Sequence, residues 1–345
     1  MRREEREELD RTEELKESEN TYRVVLAYRD RYLVRKEGKE LSCVLAGSLR
    51  YRDEFPVVGD YVEITENPFG DSLIRVILPR RTVFCRPDRG GHADGFVKTM
   101  QVQPLVANID YVFIITSLNR DFSVSRIARY AAMTVSGGAV PVAVLTKADL
   151  CPNVSEMEAK AASLSDGLQV VSISSRTGYG LDRLRTYFTP GKTIALLGSS
   201  GAGKSTLINT LAGREIMHTG EIREEDSKGR HTTTHRELIN LHGVSLIDTP
   251  GLRELGVIDA EEGLAGTFSD ITELISRCAF SDCTHGREPG CAVRQALADG
   301  SLSSERWEMY SRLERENRWS KARKNEMMMH VAMERRKINQ SRKKR

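Results

Sequence analysis

The chain of 345 residues is poor in the features that mark secreted or membrane proteins. Its N-terminus, Met1-Arg2-Arg3-Glu4-Glu5-Arg6-Glu7-Glu8, has no apolar core, which excludes a secretory signal. No apolar run approaches the roughly 18–20 residues that span a bilayer. Cysteine is scarce, six residues in all, too few for a disulfide-stapled scaffold. Net charge is also nearly absent: 52 Lys and Arg stand against 49 Asp and Glu, a formal +3. These absences predict a cytoplasmic protein with no membrane partner, and the near-neutral sum on its own points to no polyanion.

What is present is unevenly placed. Residues 1–20 carry −4 and residues 321–345 carry +8, leaving the 300 residues between them at −1. The head reads as a charged N-terminal extension and the end as a basic C-terminal tail suited to non-specific attraction to RNA phosphates.

Between them the hydrophobic period changes twice. Residues 21–85 hold five short β-rich runs, Tyr22–Tyr28, Tyr32–Arg35, Leu41–Ala46, Tyr61–Thr65 and Ser72–Leu78, separated by turn residues. That spacing predicts a small barrel, an OB-fold first and an SH3-like barrel as the open alternative. Residues 86–104, rich in Gly, Pro and charge, read as a linker. From 105 to 265, near-continuous apolar runs at Ile109–Thr116, Val140–Leu145, Leu168–Ile173, Thr193–Leu197 and Val244–Ile247 alternate with helical patterns such as Ser123–Val135 and Lys204–Leu211. Strands without alternation imply an α/β domain with a mostly parallel sheet covered on both faces. Residues 266–320 hold a Cys/His window and then a helix in which Trp307, Tyr310 and Leu313 recur at helical spacing and are expected to form a packing face.

The strongest chemical signal is Gly198-Ser199-Ser200-Gly201-Ala202-Gly203-Lys204-Ser205-Thr206, a complete P-loop between an apolar strand and an amphipathic helix. The glycines let backbone N–H groups wrap phosphate oxygens at a helix N-terminus. Lys204 is expected to neutralise the β- and γ-phosphates, and the Ser205 hydroxyl to ligate Mg²⁺. Downstream, Asp248-Thr249-Pro250-Gly251 places an acid at a strand end for Mg²⁺, through water, and a glycine N–H for the γ-phosphate. Between them, Gly229-Arg230-His231-Thr232-Thr233-Thr234 has the composition of a switch loop that orders around Mg²⁺ and γ-phosphate.

The base reader comes earlier in the chain. Thr146-Lys147-Ala148-Asp149 ends a strand and is similar to the guanine-reading N-K-x-D of GTPases. The Asp149 carboxylate would accept two hydrogen bonds that adenine does not offer, and Lys147 would lie along the base. Ser174-Ser175, after the next strand, could back the base with N–H groups. Base readers thus precede the phosphate loop, the order of a circularly permuted GTPase, which surface-close termini permit.

Cys278-x₄-Cys283-x-His285-x₅-Cys291 supplies three thiolates and an imidazole, a full tetrahedral set for one structural Zn²⁺. Cys43, Cys85 and Cys151 are left over and expected to be reduced.

Taken together, these motifs resemble the RsgA family of circularly permuted, ribosome small-subunit-dependent GTPases. The run Cys283-Thr-His-Gly-Arg-Glu-Pro-Gly-Cys291 is especially similar, and the order of barrel, GTPase domain and zinc-binding helical domain agrees over residues 21–320. The resemblance implies a monomer that binds GTP or GDP with Mg²⁺, hydrolyses GTP when stimulated by the small ribosomal subunit and its rRNA, and acts late in the maturation of that subunit. One departure is Thr146, where the family usually has Asn: Thr lacks the amide that links base and phosphate loop, which predicts weaker base binding of unchanged identity. A second concerns catalysis. Leu252 follows the D-x-x-G turn, where Ras-type enzymes place a water-orienting Gln. His231 is therefore the candidate for ordering the nucleophile, with Thr233 as Mg²⁺ ligand. Two other readings stay open on the residues alone: an RNA-binding module whose nucleotide only stabilises the fold, and a P-loop ATPase or kinase in which Thr146–Asp149 is accidental.

Overall fold

A computed structural model describes residues 18–87, 102–119, 121–165, 167–217, 237–248 and 261–319. Strands β1 (Thr21–Ala27), β2 (Tyr32–Lys36), β3 (Lys39–Leu45), β4 (Tyr61–Thr65) and β5 (Ser72–Ile77) pair in the order β1-β2-β3-β5-β4, and β4 returns onto β1. Only the β3–β5 pairing is parallel. This closed five-stranded barrel is an OB-fold, which sets the SH3-like alternative aside. Val24, Val34, Cys43, Val62 and Ile74 fill it at 0% exposure. A short helix α1 (Gly47–Tyr51) closes one end by burying Leu49. Burial inside this core pushes the Cys43 thiol up to about 12, so it is inert.

The expected linker starts and ends in a hairpin: β6 (Val83–Pro87) pairs antiparallel with β7 (Val102–Ala107). Residues 88–101 lie outside the described residues, as do 1–17 of the N-terminal extension and all of 321–345.

The α/β domain follows with β8 (Tyr111–Ser117), α2 (Val124–Ser136), β9 (Val140–Thr146), α3 (Val154–Ala162), β10 (Gln169–Ser172), α4 (Leu181–Arg185), β11 (Thr193–Gly198), α5 (Lys204–Ala212), β12 (Glu237–Leu241) and β13 (Val244–Asp248). The sheet order is β10-β9-β8-β11-β13-β12, parallel except at β12. Successive residues of β8 alternate between two cores, as the pleat requires: Val112 and Ile114 face the core shared with α2, and Phe113 and Ile115 face the one shared with α4 and α5. The apolar strands read from the sequence are present, and β12 adds an antiparallel edge that the pattern did not mark.

Barrel and α/β sheet are joined through β1, which pairs with β12 at Leu26 and Glu237. Arg23 reaches across the seam, donating to Thr193 Oγ1 at 2.6 Å, Ser245 Oγ at 3.2 Å and the Asn108 carbonyl at 3.2 Å.

Four helices complete the described chain: α6 (Glu261–Thr267), α7 (Ser269–Ser276), α8 (Ala292–Asp299) and α9, residues 304–319. Their apolar faces, with Phe268, Val293, Tyr310 and Leu313, share one core with Ile127 and Ala131 of α2. Helix α6 lies so close to α2 that a Cβ on Gly263 would overlap the Ala132 carbonyl and the Ser136 hydroxyl. The expected packing role of Trp307, Tyr310 and Leu313 holds: Phe268 meets Tyr310 edge-on at 5.5 Å, and Tyr310 stacks on Trp307 at 5.7 Å. No described helix is long and apolar enough to cross a membrane.

Candidate nucleotide site and metal centre

Because β8 to β11 and β13 run parallel, their carboxyl ends lie along one edge of the sheet, where open α/β folds bind ligands. Gly198 ends β11, and residues 199–203 turn the chain into α5, whose first turn carries Lys204, Ser205 and Thr206. Gly203 caps that helix at a φ of 97°, a conformation that a side chain would resist. Lys204 Nζ donates to the Gly198 carbonyl at 2.8 Å and the Ser199 carbonyl at 2.7 Å, so the ammonium sits inside the loop. Ala202 is buried, while Ser200 and Gly201 are exposed at the rim. Asp248 ends β13, in register with Leu196 of β11, which sets its backbone beside the start of the loop. Gly251, His231 and Thr233 lie outside the described residues.

The segment Thr146 to Asp149 meets the phosphate loop directly. Thr146, 3% exposed at the end of β9, donates its hydroxyl to the Ala202 carbonyl at 2.6 Å. Lys147 adopts a left-handed φ of 59°, and its Nζ donates to the Gly201 carbonyl at 2.9 Å. Its stem therefore crosses the surface between the two loops. Ala148 and Asp149 form a short 3₁₀ turn, anchored by the Ala148 N–H on the Ile173 carbonyl, with Asp149 exposed. Ser174 is buried beside it, its hydroxyl accepting from the Thr177 N–H at 3.2 Å. Thr146 thus bonds the phosphate loop through its hydroxyl, without an amide.

Two residues of this site carry no motif. Asp121, in the β8–α2 loop, accepts a hydrogen bond from the Ser199 hydroxyl and pairs with the second, Arg126, at 2.5 Å. A polar residue two positions before an N-cap serine was the only sequence cue.

The four expected metal ligands converge. Cys278, Cys283, His285 and Cys291 bring their ligand atoms within 4.8 Å of one another. His285 Nδ1 lies 3.6 Å from Cys278 Sγ and 3.5 Å from Cys291 Sγ, and the two sulfurs are 4.0 Å apart. A tetrahedral zinc with ordinary bond lengths would set sulfurs about 3.8 Å apart and sulfur and nitrogen about 3.6 Å apart. The donor set and its spacing fit that ion. Outside the ligands, Glu288 organises the loop by accepting from the Thr284 hydroxyl, the Thr284 N–H at 3.0 Å, the Gly286 N–H at 2.9 Å and the Arg287 N–H at 3.0 Å. The Thr284 hydroxyl, with these N–H groups, pulls its carboxyl down to about 2. Trp307 of α9 packs edge-on against the His285 ring at 5.4 Å. Glu288 stands among the Gly and Pro of the ligand loop and is not itself a ligand, so the metal-ligand spacing does not mark it.

A phosphate loop preceded in the chain by its base-reading loop, on this sheet, defines a circularly permuted P-loop GTPase. The model of the RsgA GTPase family matches residues 77–258, and the chain belongs to that family. An ABC transporter model also matches residues 181–341, less than half of the chain but including the phosphate loop. The small ribosomal subunit biogenesis GTPase RsgA 2 of Lactiplantibacillus plantarum is 44% identical over 85% of this chain and 82% of its own. Among solved structures, YjeQ from Thermotoga maritima superposes with a TM-score of 0.63 at 26% identity, covering 85% of this chain and 96% of that one. YloQ, described as a circularly permuted GTPase, gives 0.60 at 26% identity over 88% and 95%. The protein is accordingly an enzyme that hydrolyses GTP.

Proposed function

We propose that the protein is a nucleotide-timed factor of small ribosomal subunit maturation: it binds the subunit in its GTP state, hydrolyses GTP when docked, and leaves as the GDP form. The observation that carries this reading is the joining of Thr146 and Lys147 to the Ala202 and Gly201 carbonyls, which sets a guanine-reading turn against a phosphate loop. In this reading Gly198 to Thr206 hold the phosphates, Lys147 and Asp149 read the base, and Ala148 and Thr146 hold that turn. Mg²⁺, supplied with the nucleotide, would be held by Ser205, Asp248 and Thr233 and would offset charge on the β- and γ-phosphates. Gly251 would bond the γ-phosphate, so that only the triphosphate orders its segment. His231 would order the attacking water; full subunit-stimulated turnover in His231→Ala would remove it from that role.

The zinc-binding helices and the barrel give two further surfaces for rRNA, and the protein works as a monomer in the cytoplasm. The test is hydrolysis of GTP and ATP with and without purified small subunits. GTP turnover should rise with subunits and fall to background in Lys204→Ala. Equal use of ATP, or indifference to subunits, would overturn the proposal.

A further inference from the structure

We propose that Asp121 is a positioning residue of the phosphate loop, holding Ser199 so that this side chain serves the loop's shape and not the phosphates. This rests on reading residues 198–206 as the phosphate loop. The Ser199 hydroxyl donates to Asp121 Oδ2, while Arg126 Nη1 clamps Oδ1 at 2.5 Å. The Asp121 carbonyl is held as well, accepting from the Thr116 hydroxyl at 2.9 Å. Asp121 is thus fixed from both its backbone and its carboxylate, and it stands two residues before the Ser123 cap of the 13-residue helix α2. Ser199 is in turn one of the two residues whose carbonyls receive Lys204 Nζ. Rotation about Ser199 would shift both the carbonyl that seats the lysine and the N–H groups that follow it.

A carboxylate this close to a phosphate loop carries an electrostatic cost, because it repels the ligand. Arg126 on one side and the start of α2 on the other offset that charge. Two opposite outcomes follow for removal of the carboxylate. If Asp121 were only an unwanted charge, its loss would free the Ser199 hydroxyl to reach phosphate and nucleotide would bind more tightly. If Asp121 positions the loop, its loss lets Ser199 and the Lys204 seat drift, and GDP and GTP both bind more weakly.

The experiment is titration of the full-length protein with fluorescent GDP and a non-hydrolysable GTP analogue in Asp121→Ala, Asp121→Asn, Ser199→Ala and the Asp121→Ala/Ser199→Ala double variant. A charge-assisted hydrogen bond of this kind corresponds to about a tenfold change in affinity. Asp121→Ala and Ser199→Ala should each weaken both nucleotides by about that factor, the double variant should be no weaker than either single, and Asp121→Asn, which still accepts, should recover most of the affinity. Tighter binding in Asp121→Ala, or losses that multiply in the double variant, would overturn the proposal. Should Asp121→Ala fail to fold, Ser199→Ala and Asp121→Asn still decide it, since unchanged affinity in Ser199→Ala contradicts it alone. Lys204→Ala measured alongside separates the two levels: lost binding there with an inert Asp121 leaves the phosphate loop in place and removes only the positioning role.

Discussion

The Thr146 hydroxyl donates to the Ala202 carbonyl at 2.6 Å, a bond between residues 56 positions apart that fastens the turn at the end of β9 to the phosphate loop. Both ends are buried, so neither group has water as a substitute. An Asn at this position would bring a second polar arm; the Thr brings one donor and uses it on the loop.

Replacing Thr146 with Val keeps the shape and removes the donor, leaving the Ala202 carbonyl without that bond. A buried acceptor deprived of its partner costs about 1–2 kcal/mol. Thr146→Val should therefore weaken guanine nucleotide binding by roughly tenfold, while Thr146→Ser stays near the parent. Calorimetric titration with GDP checks both, and equal affinity in the Val variant would mean that the bond does not couple the loops.

The metal centre and α9 should fail together. Structural zinc sites contribute their binding free energy to folding, and here His285 packs on Trp307, which stacks on Tyr310 against Phe268. The protein should contain one zinc per chain by elemental analysis. Removing it with a chelator, or substituting Cys278→Ser, should expose Trp307 and shift its emission to the red. Nucleotide binding should persist, because the described contacts of the phosphate loop lie on β9, β11 and the β8–α2 loop.

Glu288 should govern how readily the zinc is lost. Its carboxylate accepts from Thr284, Gly286 and Arg287, shaping the turn on which His285 sits at a left-handed φ of 60°. A carboxyl held down to about 2 against an ordinary value near 4.3 contributes order that is fully present above pH 4.3 and is lost as pH falls through 2. At neutral pH it is wholly ionised, and Glu288→Gln should release zinc to a competing chelator faster than the parent. A matched release rate would show that the turn holds without it.

What could be read from sequence, and what could not, follows from distance along the chain. The phosphate loop and the Cys/His set are local patterns, each closed within 14 residues, and both stand where the motifs placed them. The strands of barrel and sheet were legible because burial on one face or two leaves period-2 or continuous apolar runs. The contacts that join these parts leave no period. Asp121 and Ser199 are 78 residues apart, and Arg23 and Ser245 are 222 apart. The Arg80–Asp60 pair, bidentate at 2.7 and 2.8 Å around a fully buried carboxylate, likewise joins β4's entrance to the chain leaving β5 with no spacing to announce it. The Thr146–Ala202 bond is likewise invisible to spacing, because it joins residues 56 positions apart.

The charge of the C-terminal tail gives the last prediction. Residues 321–345 hold ten basic and two acidic side chains in a chain whose remainder is slightly negative, so attraction to RNA phosphates concentrates there. Each phosphate neutralised steepens the fall of log affinity with log salt by about 0.7–0.9. A variant ending at residue 320 should therefore bind the small subunit with a shallower salt dependence, lower by several such increments, and should converge with the full chain as salt rises. Its intrinsic GTP turnover without subunits should be unchanged, because the tail's charge acts on the polyanion and not on the bound nucleotide. An unaltered salt slope would assign the polyanion contacts to the barrel and the metal module instead.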